Sequence, residues 1–346
     1  MKTVYVGMSG GVDSSVSAAL LKQQGYNVVG VYMKNWSQDF PGAPCPWKED
    51  YQDAKRVAVQ LGIDFKMYDF EKDYRHKVVD YMLAEFKAGR TPNPDVMCNQ
   101  EVKFKLFLLA ALDDGADLIA TGHYALAKNG QLLAAADDNK DQTYFLYRVT
   151  KEALGKTIFP LGELTKPEVR QLAKEFKLAT ADKKESMGIC FVGSVGIKEF
   201  LSNYVKPKLG KIIDQKGKVI GEHDGAIFYT IGQRHGLEVG GGLPYYVTGK
   251  NMKKNEVYVT TDLQDKKLWS REIKMTDVHW INGAPKAADK LAVRTRHRAK
   301  LIPVVSLSKT KAGWTAQLKD EVRALTPGQS AVFYAGKRCL GGGIVV

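Results

Sequence analysis

The sequence predicts an α/β fold in which a doubly wound parallel sheet is followed by two small β-rich modules, the last of them a β-barrel. Up to about residue 205, short apolar runs alternate with longer amphipathic stretches, a pattern typical of βαβ units and a parallel sheet. After Tyr204 the pattern changes to glycine-containing turns between short β-rich runs, which are Ile212–Ile213, Ile227–Ile231, Tyr245–Val247 and Val257–Thr260. These changes predict three domains, over residues 1–205, 206–270 and 271–346.

The elements of the first domain follow from hydrophobic periodicity. Thr165 and Glu168 have the spacing of a capping box before an amphipathic helix. In a parallel sheet, ligands bind beyond the carboxyl ends of the strands, which is where the loops around Ser9, Met33 and Gly122 fall. The predicted strands are Val4–Val6, Val28–Met33, Phe65–Tyr68 and Leu118–Ala120, and the predicted helices begin at about Ser14 and cover about Asp50–Leu61, Phe70–Lys87 and Glu101–Asp113.

The first strand leads into a turn rich in glycine and serine. Gly10 and Gly11 allow backbone N–H groups to converge, and the start of the following helix adds donors and partial positive charge. The turn therefore suits phosphate, although a strand–helix turn without a ligand has the same pattern. Asp13 fits either a helix N-cap or a ligand of a Mg²⁺ ion brought by a polyphosphate.

The motif excludes two common phosphate-binding loops. It lacks the Gly-Lys-Ser/Thr of the ordinary P-loop and the G-x-G-x-x-G spacing of a dinucleotide-binding turn. Ser9–Ser14 resembles instead the pyrophosphatase loop (PP-loop) of ATP-dependent enzymes that adenylate a carbonyl oxygen. That superfamily includes thiouridine synthases, argininosuccinate synthetase, GMP synthetase and NAD synthetase. The resemblance implies a sheet of the PP-loop type and cleavage of ATP between its α and β phosphates.

Composition and charge narrow the class of protein. With 346 residues, 44% of them hydrophobic and 26% charged, the chain is an ordinary globular protein without a membrane-spanning run. The first strand begins almost at the N-terminus, so we expect no signal peptide and a cytoplasmic location. The net charge is +13, and residues 271–346 hold 14 Lys/Arg against 5 Asp/Glu, which is +9 of that total. This concentration favours a nucleic-acid partner over a merely solvated surface.

Two of the four cysteines lie in motifs that suggest chemistry. The chain has no C-x-x-C pair and too few cysteines for a disulfide scaffold. Cys98 ends a loop restricted by two prolines and precedes a predicted helix, which predicts a lowered thiol pKa. Asp95 opposes that effect and is a candidate general base. Cys190 lies in an apolar run, and for both cysteines a packed, inert thiol is the alternative.

Taken together, the motifs resemble the bacterial tRNA-specific 2-thiouridylases, also called tRNA-uridine 2-sulfurtransferases, over essentially the whole chain. This family resemblance implies ATP-dependent exchange of oxygen for sulfur at C2 of the wobble uridine. The motifs are Gly7–Ser14, Asn93–Cys98, Ala120–Tyr124, Lys140–Leu146, Gly188–Phe191 and Tyr229–Arg234.

The resemblance also implies roles for individual residues. Cys98 would be the nucleophile and Cys190 the persulfide carrier, with a disulfide between them as one product. In the basic module the family often has Arg-Tyr-Arg where this chain has Arg296-His297-Arg298, and a histidine can still stack on a base. The ATP site would comprise Gly7, Met8, Ser9, Gly10, Gly11, Val12, Asp13, Ser14, Met33 and Gly122. Asn93, Pro94 and Asp95 would contact the uracil, and Lys140, Asp141, Gln142, Arg296 and His297 the tRNA.

The resemblance further implies the partners. These are ATP with its Mg²⁺, tRNAs for Lys, Glu and Gln, and a cysteine desulfurase or relay protein that supplies the persulfide. Two other functions remain open at this point. Another PP-loop ligase acting on a small carboxylate or carbonyl explains the loop and the sheet, and a nucleotide-sensing RNA-binding module explains the loop and the charge. Neither uses the two cysteines.

Overall fold

The first part of the chain forms the predicted parallel sheet. The computed structural model describes residues 1–39, 45–184, 196–237, 239–240, 242, 244–286 and 289–346. Five strands pair in the order β3-β2-β1-β4-β7, and every pairing in this sheet is parallel. The strands are β1 (Thr3–Gly7), β2 (Asn27–Lys34), β3 (Asp64–Asp69), β4 (Leu118–Thr121) and β7 (Thr157–Ile158). The predicted fold class is confirmed.

Helices connect these strands. Helix α1 (Val12–Gln23) begins two residues before its predicted start, and α2 (Trp47–Leu61) three residues before. The capping box at Thr165 is confirmed, since Glu168 accepts from both the backbone N–H and the hydroxyl of Thr165 at 2.7 Å. The other helices are α3 (Glu71–Tyr74), α4 (Asp80–Lys87), α5 (Pro94–Met97), α6 (Phe107–Asp113), α7 (Thr143–Leu146), α8 (Lys151–Gly155), α9 (Lys166–Glu175) and α10 (Ile197–Ser202).

Two helical stretches are continuous but change their hydrogen-bond register. A π-helical segment over Arg75–Val79 joins α3 to α4, and a second over Cys98–Leu106 joins α5 to α6. The second stretch therefore runs without a break from Pro94 to Asp113, seven residues longer at its start than the predicted helix. It packs its apolar face under the sheet, where Phe104, Phe107 and Leu108 join the largest hydrophobic cluster.

The central module is a small four-stranded sheet in the order β10-β11-β8-β9. One prediction here is wrong, because the run Ile227–Ile231 is not a strand. Ala226–Phe228 forms a 3₁₀ turn, in which the adjacent residues Ala226 and Ile227 are both buried, whereas a strand would direct them to opposite faces. The strands are β8 (Gly210–Ile213), β9 (Val219–His223), β10 (Tyr246–Asn251) and β11 (Glu256–Thr260).

The last module is a closed six-stranded barrel. Its strands follow the order β12-β15-β14-β13-β16-β17, and pairing of β12 with β17 closes it. A hairpin of the first part of the chain, β5 (Leu126–Lys128) and β6 (Gln131–Leu133), extends the barrel sheet by pairing with β17. The barrel strands are β12 (Trp269–Trp280), β13 (Leu291–Arg294), β14 (Ile302–Thr310), β15 (Gly313–Arg323), β16 (Ser330–Ala335) and β17 (Arg338–Val345), with a 3₁₀ turn at Lys266–Leu268.

The predicted domain boundaries remain predictions, and the β5–β6 hairpin shows that the first and third modules share one sheet. Among the described residues, no helix has both the length and the apolarity needed to cross a membrane.

Candidate functional site

The glycine- and serine-rich turn closes tightly at the start of α1. Gly10 has φ +76°, and a Cβ there would lie 2.3 Å from the carbonyl oxygen of Asp50, so only glycine fits. Gly11 is the N-cap of α1. Of the two roles open to Asp13, that of N-cap is therefore wrong, because Asp13 lies in the first turn of the helix.

Hydrogen bonds within the turn fix its shape. The Ser9 N–H donates to Ser14 Oγ at 3.2 Å, and the Ser14 hydroxyl donates to the Gly11 carbonyl at 3.1 Å. Ser14 is buried, whereas Ser9 is exposed. The turn thus presents Ser9 and the start of α1 to solvent while its inner side packs on the sheet, which is the arrangement that an anion site at a helix N-terminus requires.

A cleft of about 180 Å³ opens beside this turn, at the carboxyl edge of β1, β2 and β4. Gly122 lets the loop after β4 approach α1 closely, since a Cβ there would lie 2.7 Å from the Ser14 nitrogen. The lining residues are Gly7, Ser9, Asp13, Ser14, Met33, Lys103, Thr121, Gly122, His123 and Gln142. The lining includes six of the ten residues predicted to bind ATP, while Met8, Gly10 and Val12 are buried behind the turn.

Asp13 has two partners that sequence reasoning missed. Its Oδ1 accepts from the Tyr124 hydroxyl at 2.9 Å and from Lys166 Nζ at 2.6 Å. Tyr124 lies in a motif that the sequence did single out, but Lys166 comes from the first turn of α9 and carries no local signal. Among the residues that the structure describes, no group of three or more His, Cys, Asp or Glu side chains could hold a metal ion.

The segment with Cys98 is a helix start, as predicted, but its thiol is not near the helix terminus. Asn93 caps the helix, its Oδ1 accepting from the Asp95 N–H at 3.2 Å, and Pro94 is the first helical residue. Cys98 is the fifth residue and only 6% exposed. The predicted lowering of its pKa is wrong: burial raises the pKa of the Cys98 thiol, and nearby Lys103 only partly offsets this.

Asp95 is a better base than an exposed carboxylate would be. Burial raises its pKa, and the positive charge of Lys103 acts in the opposite direction. A carboxylate with a raised pKa accepts a proton more readily, which suits the predicted role of general base.

Both β-rich modules hold the loop that precedes Asn93. The Thr91 N–H donates to the Pro327 carbonyl at 2.8 Å, and Gln329 Nε2 donates to the Thr91 carbonyl at 2.8 Å. The Thr91 hydroxyl lies 3.1 Å from that of Thr230 in the central module. The position of the Cys98 helix therefore depends on contacts with residues more than 100 positions away.

The residues predicted to contact tRNA occupy different environments. Gln142 lines the cleft and its Oε1 accepts from the Tyr124 N–H at 2.9 Å. Asp141 is buried, accepts from the Thr143 hydroxyl at 2.8 Å and pairs with Arg294 at 3.4 Å. Lys140 is partly exposed beside them. The geometry favours direct ligand contact for Gln142 and an organising role for Asp141.

Arg296 and His297 lie where the barrel meets the first domain. Arg296 is exposed, yet its Nη2 donates to the carbonyls of Ile231 and Ala324, both at 3.1 Å. The His297 ring packs on Phe145, with ring centroids 4.6 Å apart. Burial lowers the pKa of His297 to about 4, so it is neutral at pH 7. Their predicted contacts with tRNA stay predictions.

Neither Cys45 nor Cys339 lines the cleft. Cys190 lies outside the described residues, so its proximity to Cys98 stays a prediction. Cys339 is fully buried in β17, and Cys45 is partly exposed at the edge of the apolar cluster that contains Cys98.

Three cleft residues that sequence reasoning did not assign are Lys103, Thr121 and His123. Lys103 Nζ lies 3.5 Å from His123 Nε2, and His123 Nδ1 lies 2.7 Å from the Thr121 hydroxyl. Thr121 and His123 flank Gly122 directly, so the motif around that glycine was the available signal. Lys103 gave none, since its orientation depends on the π-helical register.

This combination of a parallel sheet, a glycine-serine turn at a helix start and a cleft at the carboxyl edge defines a nucleotide-binding enzyme of the PP-loop class. Three family models match consecutive parts of the chain. Residues 2–194 match a tRNA methyl transferase HUP domain, 198–261 a tRNA methyl transferase PRC-barrel domain, and 270–345 an aminomethyltransferase beta-barrel domain.

Relatives identify the family. The chain is 47% identical over 353 residues to a tRNA-specific 2-thiouridylase of Enterococcus faecalis, and 48% identical over 349 residues to one of Bacillus subtilis. Each comparison covers 99% of this chain and 94% of the relative. The chain belongs to the tRNA-specific 2-thiouridylase family. A solved 4-thiouridine synthetase–RNA complex with bound ATP is 18% identical over 53% of this chain and 43% of that one, with a TM-score of 0.37.

Proposed function

We propose that this protein is an ATP-dependent tRNA-uridine 2-sulfurtransferase that acts on the wobble uridine. One observation carries the proposal: the helical stretch that bears Asp95 and Cys98 also forms a wall of the nucleotide cleft, through Lys103. A PP-loop ligase for a small carboxylate has no use for a buried thiol beside the cleft. A nucleotide sensor has no use for a carboxylate with a raised pKa.

The first step activates the uracil C2 carbonyl, whose oxygen is a poor leaving group. The O2 atom attacks the α-phosphorus of ATP, the bond from that phosphorus to the pyrophosphate oxygen breaks, and the N3 proton passes to the Asp95 carboxylate. Ser9 and the N–H groups at the start of α1 stabilise the charge on the departing pyrophosphate. Met33 and Gly122 flank the adenosine.

The second step exchanges oxygen for sulfur. The outer sulfur of a persulfide on Cys190 forms a bond to C2, and AMP leaves with the former O2. The Cys98 thiolate attacks the inner sulfur, which forms a Cys98–Cys190 disulfide and releases the sulfur on C2, while Asp95 returns its proton to N3. If Cys98 instead attacks the persulfide first, hydrosulfide is released and attacks C2, and the products are the same. An external thiol then reduces the disulfide.

Asp13 is the carboxylate of the cleft that would hold a Mg²⁺ ion accompanying ATP. A single carboxylate together with phosphate oxygens is a usual way for proteins to bind Mg²⁺, and the ion would offset the negative charge of the phosphates. Lys166 already neutralises Asp13. These residues therefore fit a Mg²⁺ ion held jointly by Asp13 and the ATP phosphates better than a metal site made by the protein alone.

The tRNA anticodon binds across the first domain and the basic barrel. The barrel supplies +9 of the chain's charge, with Arg296 and His297 at the junction and Lys140, Asp141 and Gln142 beside the cleft. Asn93, Pro94 and Asp95 contact the uracil, which leaves its stack as bases in single-stranded loops do at low cost. We propose tRNAs for Lys, Glu and Gln as substrates, a desulfurase or relay protein as persulfide donor, and a cytoplasmic location.

Reconstitution tests the proposal. Purified protein, ATP, Mg²⁺, unmodified tRNA and a cysteine desulfurase with cysteine should yield tRNA whose wobble uridine has one oxygen replaced by sulfur, as measured by nucleoside mass spectrometry. Omission of ATP should abolish the product. A methylated uridine, or thiolation that proceeds without ATP, would contradict the proposal.

A further inference from the structure

Lys103 occupies a position that an ordinary helix would not give it. It lies five residues after Cys98, and at 3.6 residues per turn two such side chains point about 140° apart around the axis. The segment Cys98–Leu106 is π-helical, and its last bond runs from the Phe107 N–H to the Val102 carbonyl, five residues back. The wider turn brings Lys103 back toward the side of the helix that carries Cys98. π-helical turns are rare and frequently accompany functional sites.

The immediate partner of Lys103 is a neutral imidazole. An ammonium group has no lone pair, so His123 Nε2 must accept from Lys103, and the ring proton lies on Nδ1, which donates to the Thr121 hydroxyl. His123 is buried, and burial, reinforced by the charge of Lys103, lowers its pKa well below 6.5. The imidazole therefore orients the ammonium without cancelling its charge.

Lys103, which lines the cleft, and Lys166, which contacts the lining residue Asp13, differ in how they are neutralised. Lys166 forms an ion pair with Asp13 at 2.6 Å. Lys103 has no carboxylate within ion-pair distance among the residues that the structure describes, and its contact in the cleft is the 3.5 Å approach to His123. Lys103 therefore faces the cleft without an ion pair in the described part of the chain, and a partly buried ammonium group in that position favours an anion.

The charge of Lys103 also acts on the thiol side of the site. Burial raises the pKa of both Asp95 and Cys98, and Lys103 is the charge that lowers each of them. Lys103 is thus the group through which the nucleotide cleft and the Cys98 helix share an electrostatic environment.

We propose that Lys103 is a catalytic residue whose ammonium group binds a non-bridging oxygen of the ATP α-phosphate, next to the thiol that completes sulfur transfer. This inference rests on the proposed function. Lys103 keeps its proton throughout: it stabilises the negative charge that develops as uracil O2 bonds to the α-phosphorus and pyrophosphate leaves. It remains in contact with the phosphate when AMP departs.

The test replaces Lys103 by methionine, which keeps the length of the side chain, and by arginine, which keeps the charge. Single-turnover AMP formation in the presence of tRNA should fall about 100-fold or more in Lys103→Met, and Lys103→Arg should recover part of that loss. Lys105→Met is the matched control, because Lys105 lies on the same helix but is exposed and paired with Glu101. It should retain the wild-type rate. A Lys103→Met rate within about threefold of wild type would overturn the proposal.

A second measurement uses the unaltered protein and does not depend on how well the variants fold. Amine-directed acylation followed by peptide mapping should modify Lys103 in the free protein, and saturating ATP should suppress that modification while leaving Lys105 reactive. Equal labelling of Lys103 with and without ATP would contradict the proposal. If the wild-type protein forms no thiolated uridine, the proposed function itself is contradicted. If the wild type is active and Lys103→Met forms AMP at an undiminished rate, only the role of Lys103 is contradicted.

Discussion

Residues 7–14 contribute to the lining of the cleft, whereas residues 91–98 lead into the helical stretch that reaches the cleft through Lys103, and the two segments are held in place by different means. The first segment is shaped locally. Ser9, Gly11 and Ser14 form hydrogen bonds with one another, and the segment is anchored by β1 before the turn and by α1 after it. The second is held from a distance, by Thr230, Pro327 and Gln329 of the two β-rich modules. The nucleotide end of the site is therefore a property of the first domain, whereas the thiol end requires all three modules. Substitutions that act on one segment and spare the other test this difference.

The largest effect is expected at the thiol end. Cys98→Ser should lower tRNA thiolation at least about 1000-fold, because a hydroxyl neither attacks a persulfide nor forms the disulfide. ATP binding should persist, since the nucleotide segment is built independently. Cys45→Ser is the matched control and should retain activity. Thiolation by the Cys98→Ser protein at more than a tenth of the wild-type rate would remove the two-thiol scheme.

The next effect is at the nucleotide end. Gly10→Ala forces a Cβ against the Asp50 carbonyl at a positive φ, so we expect a fall of roughly 100-fold in ATP affinity and a stability loss of about 2 kcal/mol. Equilibrium dialysis and thermal unfolding measure the two. Gly115→Ala also has a positive φ but lies in open space, and it should change stability less and ATP affinity not at all. Equal losses of ATP affinity in both variants would show that the local shape of the turn is not what matters.

The salt dependence of the affinity for tRNA tests the role of the basic barrel rather than that of the cleft. The affinity for tRNA should fall by at least about tenfold between roughly 50 and 200 mM salt, because phosphate contacts release counter-ions. Fluorescence titration at several salt concentrations gives the slope of log affinity against log concentration. A slope near zero would contradict the role assigned to the basic module.

A smaller effect is expected from the contact between modules. Gln329→Ala removes the donor to the Thr91 carbonyl, so the free energy of unfolding should fall by about 1 kcal/mol and the turnover number about threefold. Gln317→Ala is the control, because the Gln317 amide donates to a single side chain, Glu272, on the exposed barrel surface and makes no contact between modules there. If both variants behave alike, the loop before Asn93 does not depend on the barrel.

The smallest effect concerns pH. The pKa of His297 falls from its usual 6.5 to about 4, so the unfolded state binds the proton more readily. Stability should therefore rise with pH between about 4 and 6.5 and be fully present above that range, by less than about 1 kcal/mol because solvent screens the partly exposed ring. The positive charges facing the ring, Arg294, Arg298 and Lys140, act in the same direction. His297→Phe should flatten this part of the profile in thermal unfolding, and an unchanged slope would assign it to another group.

The difference between a segment shaped locally and one held by distant residues also explains which features the sequence could predict. The turn at Ser9–Ser14 and the position of the cleft follow from local motifs and from the geometry of parallel sheets, and both were predictable. The raised pKa of Cys98 was not, because its burial comes from Trp36, Tyr74 and Phe200, which lie far away in the sequence.

Other features depend on packing that no local pattern reveals. The run Ile227–Ile231 has strand composition, but Ala226–Phe228 forms a 3₁₀ turn in which the adjacent residues Ala226 and Ile227 are both buried. Arg296 looks like a surface ligand for nucleic acid, yet part of its hydrogen-bonding capacity is used on backbone carbonyls of two modules. Nothing in the sequence distinguishes Lys103 from the other lysines, and its place in the cleft lining depends on the π-helical register of Cys98–Leu106.

The central claim is that ATP activates the very oxygen that sulfur replaces, and isotope transfer tests it most directly. The tRNA substrate would carry ¹⁸O at O2 of the wobble uridine, and the AMP released during thiolation would be analysed by mass spectrometry. We predict one ¹⁸O in the phosphate of AMP for each sulfur incorporated. Thiolated tRNA accompanied by unlabelled AMP would contradict it.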